Sequence, residues 1–202
     1  MKTNFLKTRT NISKIALLLC FSLTTTFCSK DDTPTPPAVL APLQDPLPGY
    51  LSASGFYQQT EIIINSDNFE TGYSFVPLVN GKITAIAVKL PAVNNNVRVT
   101  IWDKATATAI RTERINVATV NTEIIKQITA LDLIKEKEYM ITMNSNDTYG
   151  YSKTDISNGN YPYTVGDIKI TSFWYFEGSA QTMPNTSYFM GYAGDCSFKF
   201  QK

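Results

Sequence analysis

The segment Ile83–Asp103, ITAIAVKLPAVNNNVRVTIWD, decides the fold class. Ile86, Val88 and Leu90 point one way while Ala87 and Lys89 point the other, and Val97, Val99 and Ile101 alternate with Arg98 and Thr100. A period of two is that of a strand with one face buried, as an antiparallel sheet with one solvated side requires. Pro91 and the run Asn94–Asn96 punctuate the two halves as a turn does.

The same grammar continues on both sides. Short apolar runs separated by Asn, Asp, Gly and Pro predict strands at Glu61–Asn65, Thr71–Val76, Lys82–Leu90, Val97–Trp102, Ala109–Ile115, Glu123–Thr129, Glu138–Met143, Asp167–Phe176, Tyr188–Gly191 and Ser197–Phe200. Tyr139, Ile141 and Met143 repeat the alternation with Met140 and Thr142. One stretch, Val117–Lys137, also admits a helix, because Ile124, Ile128 and Leu131 fall at helical spacing. Ala130–Leu133 followed by the charged Lys135, Glu136 and Lys137 reads instead as a turn leading into the strand at Tyr139, and the strand reading is the favoured one. About ten short strands give an all-β fold, an antiparallel β-sandwich or barrel.

The first fifty residues read differently. Met1–Lys14 is basic and free of acids, and Ile15–Leu23 is an apolar run of nine, the layout of a secretory signal and too short to span a bilayer. Six of the ten prolines fall between Ser29 and Gly49, which predicts an irregular, semi-stiff spacer. At about 3.1 Å per residue such a spacer reaches up to about 60 Å. The expected organisation is therefore a signal at 1–27, a tether at 28–49 and a sandwich domain at 50–202.

Composition limits function. Hydrophobic residues make up 43% and charged residues 17%, a globular balance with fewer charges than usual. Of the 18 basic residues, Lys2, Lys7, Arg9 and Lys14 precede Cys28, whereas all 17 acids follow it, so the part from Cys28 onward carries about −3. That balance gives no support for a nucleic-acid partner. The chain has no His, the commonest general base and metal ligand. Of three cysteines, Cys20 would leave with a cleaved signal, and if Cys28 is modified Cys196 is alone and no disulfide framework remains.

Two resemblances attach to these residues. Cys28-Ser29-Lys30-Asp31-Asp32 resembles the start of mature lipoproteins of Gram-negative bacteria, in which acidic residues after the lipidated Cys direct export to the surface. The resemblance implies acylation at Cys28, anchorage in a membrane, and an outer-membrane or cell-surface location. Phe75, Asn80-Gly81, Ile83–Pro91, Val97–Asp103 and Lys137–Asn144 together resemble a jelly-roll domain of uncharacterised function found on bacterial surface proteins and similar to carbohydrate-binding modules. That likeness covers about half the chain and implies fold more than function.

Chemistry is sparse. There is no nucleophile elbow, phosphate loop or Cys-x-x-Cys, so the expected protein is not an enzyme and holds no cofactor. Tyr149–Tyr192 nevertheless holds 11 aromatic residues in 44, including Phe173, Trp174, Tyr175, Phe176 and Tyr192. Sugar rings offer flat C–H faces and a hydroxyl rim, which aromatic platforms flanked by amides and carboxylates match. The polar run Asn144–Tyr151 reads as a loop at the end of the sandwich, and Tyr149, Tyr151, Tyr161 and Tyr163 with Asn146 and Asp147 are the expected glycan contacts. The bland alternative has these tyrosines packed over the sandwich edge. Asn144, Asn146, Asp147 and Asp155 also offer hard oxygen ligands for calcium, although not in EF-hand order, and no metal site is expected. The competing functional readings are a structural or adhesive envelope lipoprotein that binds protein, and a glycoside hydrolase using two carboxylates.

Overall fold

The computed structural model describes residues 41–153, 161–188, 191–192 and 195–202, with backbone alone for 58–63. The signal segment, Cys28, the tether through residue 40 and Asp155 lie outside the described residues. The described chain begins with one helix, α1 (Pro46–Ser54), followed by β1 (Tyr57–Pro77), β2 (Gly81–Val88), β3 (Asn94–Asp103), β4 (Thr108–Val117), β5 (Ile124–Leu133), β6 (Tyr139–Ser152), β7 (Tyr163–Val165), β8 (Ile168–Glu177), β9 (Thr186–Tyr188) and β10 (Cys196–Gln201).

Two antiparallel sheets form a sandwich. The larger has the order β4-β3-β6-β1-β8-β7, with β9 also paired to β8, and the smaller has the order β10-β2-β5. The chain leaves the large sheet only for β2, β5 and β10, so β2 and β5 belong to the sheet opposite the strands that flank them in sequence. The alternation at Ile83–Asp103 faces inward as expected. Val97, Val99, Ile101, Tyr139, Ile141 and Met143 of the large sheet meet Ile83, Ile86, Val88, Phe198 and Phe200 of the small one in a single core. Its centre is aromatic: Phe75 stands 4.6 Å from Phe198 and 5.9 Å from Tyr139, ring centre to ring centre. Val117–Lys137 contains strand β5, paired with β2 from Val88↔Ile124 to Gly81↔Leu133, and not a helix.

Several boundaries differ from the sequence reading, each for a tertiary reason. The two expected strands at Glu61–Asn65 and Thr71–Val76 are one strand, β1, whose pairing with β6 is irregular between Ile64 and Phe69. Asn65–Asn68 looks like a break, but β1 pairs with β6 on either side of it, at Ile64↔Asp147 and Phe69↔Ser145, and takes up the extra residues as a bulge. Asn144–Tyr151 is not a loop. It is the second half of β6, paired with β1 from Glu70↔Asn144 to Gln58↔Tyr151. Local turn preference yields there to the backbone hydrogen bonds a central partner supplies.

The proline-rich spacer was expected to run to Gly49, yet the chain is docked from Gln44, which exchanges both backbone hydrogen bonds with Phe200 at 2.8 Å. Pro46 lies in the first turn, where the missing N–H costs nothing, and Gly55 ends α1 in the left-handed region at φ 80°. The helix packs against β10 and β7, closing the open side between the sheets. Tyr50 is fully buried there, stacked at 5.4 Å on Tyr161 and edge-on at 5.9 Å to Tyr163.

The outer face of the large sheet, expected to be solvated, is covered as well. Glu70 is fully buried, bonded to Arg98 Nη2 at 2.7 Å and accepting from Thr142 at 2.5 Å. Arg98 also donates to the carbonyls of Ser179 and Ala180, and Gln181 to Thr100 and Thr112. The β8–β9 connection thus lies as a strap across Arg98 and Thr100, and their alternation marks a face without making it a wet one.

Candidate functional site

The six expected ligand contacts divide among four environments. Tyr149 is buried, its hydroxyl donating to the Leu90 carbonyl at 3.0 Å. Tyr161 and Tyr163 clamp Tyr50 of α1, and the Tyr163 hydroxyl donates to the Ala53 carbonyl at 3.2 Å. Burial pushes the Tyr161 phenol far above its ordinary value. These three rings hold structure. Tyr151 lines a cavity beside α1, and Asn146 and Asp147 line a different one. The structure brings Tyr161 and Tyr163 together on Tyr50 and Asn146 and Asp147 together at a cavity, but does not unite the six in one site.

The cavity that contains them follows from unequal sheets. Along β1 the inner face is covered by Phe198 at Tyr73 and Phe75, but Thr71 and Phe69 are only half-buried. Past Tyr73 the large sheet forms a shelf. Phe173 of β8 pairs with Tyr73, and Tyr175 with Thr71, which places both rings on this inner side. The Phe173 ring lies 6.1 Å from Tyr175 and 6.0 Å from Tyr192, at interplanar angles of 24° and 21°. The result is a row of three near-parallel rings whose outer member, Tyr175, is 37% exposed.

A polar rim faces this row. Asn65, Ser145, Asn146, Asp147 and Thr148 complete a half-open cavity of about 210 Å³. The rim is preorganised. Asn146 donates to the Asn65 carbonyl at 3.5 Å, Asp147 accepts from the Ala92 amide at 3.1 Å and from the Ser145 hydroxyl, and Thr148 bonds Tyr192. Burial holds the Tyr192 phenol well above its ordinary value, so it remains a neutral hydroxyl that donates to the Tyr149 carbonyl at 3.1 Å.

The second cavity, about 290 Å³, lies between α1 and β2. Asp195 lines it and is 3% exposed. Its Oδ2 accepts from the Thr148 hydroxyl and from the Tyr149 amide at 3.1 Å. Its Oδ1 makes no hydrogen bond of ordinary geometry among the described residues, although the Tyr151 hydroxyl interacts with the carboxylate. Burial raises the carboxyl to about 6, while Thr148, the Tyr149 amide, the nearby Tyr151 hydroxyl and Lys89 each offset part of that rise. Thr148 therefore joins the two cavities, with Tyr192 on one side and Asp195 on the other.

Of the oxygen ligands considered for calcium, Asp155 lies outside the described residues, and Asn144 and Asp147 turn to different partners. Asn144 faces outward and donates to the Gly178 carbonyl at 2.9 Å, whereas Asp147 binds Ala92 and Ser145. Among the described residues no group of three or more Asp, Glu, Cys and His side chains could hold a metal ion. Sequence reasoning flagged the aromatic density of Tyr149–Tyr192 but chose the tyrosines of an expected loop, missing Phe173, Tyr175 and Tyr192. The signal available was the alternation of Phe173 and Tyr175 on one strand. Asp195 had none. Searched against protein families, curated proteins and solved structures, the chain matches none of them.

Proposed function

We propose that the protein is a non-enzymatic surface lipoprotein whose sandwich binds carbohydrate on the aromatic shelf. The observation that carries this reading is the row Tyr175–Phe173–Tyr192 facing Asn65, Asn146 and Asp147 across one cavity. Near-parallel rings offer a flat surface to the C–H face of a pyranose, and the fixed amide and carboxylate oxygens opposite accept from its hydroxyl rim. The small volume favours one sugar residue or a chain end over a long stretch of polymer. A binding role is also favoured by the lack of His in the chain and by the engagement of both Asp147 oxygens in structural hydrogen bonds. Acylation at Cys28 would place the module at the outer membrane or cell surface.

A glycan-array measurement on the full chain tests the reading. Saturable binding to at least one glycan is expected, and Tyr175→Ala should weaken it about tenfold, near the upper end of one ring's stacking contribution of about 0.5–1.5 kcal/mol. Tyr175 is exposed enough for its loss to leave the core intact. No glycan binding, or binding indifferent to Tyr175→Ala and Asn146→Ala, would refute the proposal.

A further inference from the structure

The cavity beside α1 has a different chemistry from the shelf. Leu47 and Leu51 of α1 and Phe56 just beyond it form an apolar wall, facing Ala87 and Val88 of β2, and the polar groups that reach it include Asp195 and Tyr151. The wall is anchored: the Leu47 amide donates to Ser197 at 3.3 Å, Ser197 bonds Asp45, and Asp45 pairs with Lys199. Lys199 also meets Glu123 at 3.3 Å, so that basic group is occupied twice. A buried carboxyl with an unmade hydrogen bond carries a free-energy cost that a donor removes. Lys89 and Glu123, of opposite charge, also line the cavity, and the apolar wall beside the unfilled Asp195 Oδ1 favours a ligand with an apolar body and a donating head.

We propose that this cavity binds a small amphipathic molecule whose hydrogen-bond-donating head, an ammonium or a hydroxyl, meets Asp195 Oδ1 while its apolar body lies against Leu47, Leu51 and Phe56. An ammonium is the stronger partner, because a charge-assisted bond is roughly twice as strong as a neutral one. The Tyr151 ring adds a face on which a cation is also favoured, whereas the Phe56 ring already carries Lys153 at 5.6 Å and serves as apolar wall. Glu123, Lys89, Tyr151 and Tyr192 are the other titratable groups at or beside the cavity, and Lys89 lies 5.3 Å above the Tyr149 ring. The site shares Thr148 with the shelf but uses none of its rings, so it stands or falls independently of carbohydrate binding.

Calorimetric titration of the full chain with three probes of one shape tests it: 2-phenylethylamine, 2-phenylethanol and 3-phenylpropionate. The amine is expected to bind at least tenfold tighter than the carboxylate, with the alcohol between them. Asp195→Asn should abolish the amine's advantage over the alcohol, with folding checked by circular dichroism. Should that variant not fold, Leu51→Trp decides, because it fills the cavity from a half-buried helix position and should abolish binding of all three. Equal binding of amine and carboxylate, no binding of either donor, or binding unaffected by Leu51→Trp would overturn the proposal. An alcohol that outbinds the amine would support a donor site that selects hydroxyl.

Discussion

Asp195 shows how much a single buried residue can weigh on this fold. An unfolded carboxyl titrates near 3.8 and the folded one near 6. Between those values the folded state keeps a proton that the unfolded state has released, so stability falls as pH rises from about 4 to about 6 and stays lower above it. A shift of about two pH units corresponds to about 3 kcal/mol. Asp195→Asn lacks this titration. In urea unfolding, the stability of Asp195→Asn relative to the unsubstituted chain should therefore improve by about 2–3 kcal/mol from pH 4 to pH 7.5, and an unchanged difference would count against a buried, ionisable Asp195. Retaining such a residue fits a binding role better than a packing one.

At the scale of elements, α1 is the piece that local reading missed and packing explains. Its sequence, PLPGYLSAS, has two prolines and a glycine and would be a poor helix in isolation. It forms because Leu47 and Tyr50 have a place to go, the gap between β10 and β7, where Tyr161 and Tyr163 receive the Tyr50 ring. Tyr50→Ala should lower stability by about 3–5 kcal/mol in urea unfolding, the range for large aromatic truncation in a core. Tyr57→Ala, at a side chain 53% exposed, should change it by no more than about 0.5 kcal/mol. The same logic governs Asn144–Ser152. Its Asn, Asp, Ser and Gly residues spell a loop, but β1 runs alongside and supplies backbone partners as far as Tyr57↔Ser152. Tyr149, Tyr161 and Tyr163 consequently became strand and helix supports and Tyr151 lines the cavity beside α1, while Phe173 and Tyr175 took the open position.

Across the whole molecule, the inequality of the sheets creates the cavity to which the proposed binding is assigned. Three strands cannot cover the inner face of seven, and the uncovered end of β1, β6 and β8 becomes the shelf. The docking of Gln44 and α1 also fixes where the chain leaves the sandwich toward its amino terminus. If Cys28 carries lipid, Cys28→Ser should move the full chain from the membrane fraction to the soluble fraction of a Gram-negative host, and mass spectrometry should find acyl groups on the native chain alone. Unprocessed, acyl-free native protein in the cytosol would refute the anchoring.

By itself the sequence determined the all-β class and the inward residues of the best strands, and it favoured a strand at Glu123–Thr129, which pairing with β2 carries on through the expected turn at Ala130–Leu133. These are set by side-chain alternation, a property of neighbours along the chain. Tertiary structure alone decided that Asn144–Ser152 is paired, that Pro46–Ser54 is helical, that Arg98 and Glu70 are covered, and that Tyr175, not Tyr149, faces the open cavity. Each of those depends on which distant segment lies opposite: β1 for Asn144–Ser152, β10 and β7 for α1, the strap at Ser179–Ala180 for Arg98, and the limited reach of the small sheet for Tyr175. Burial is a relation between segments remote in sequence, so alternation can say which side chains share a face but not whether another layer will cover it.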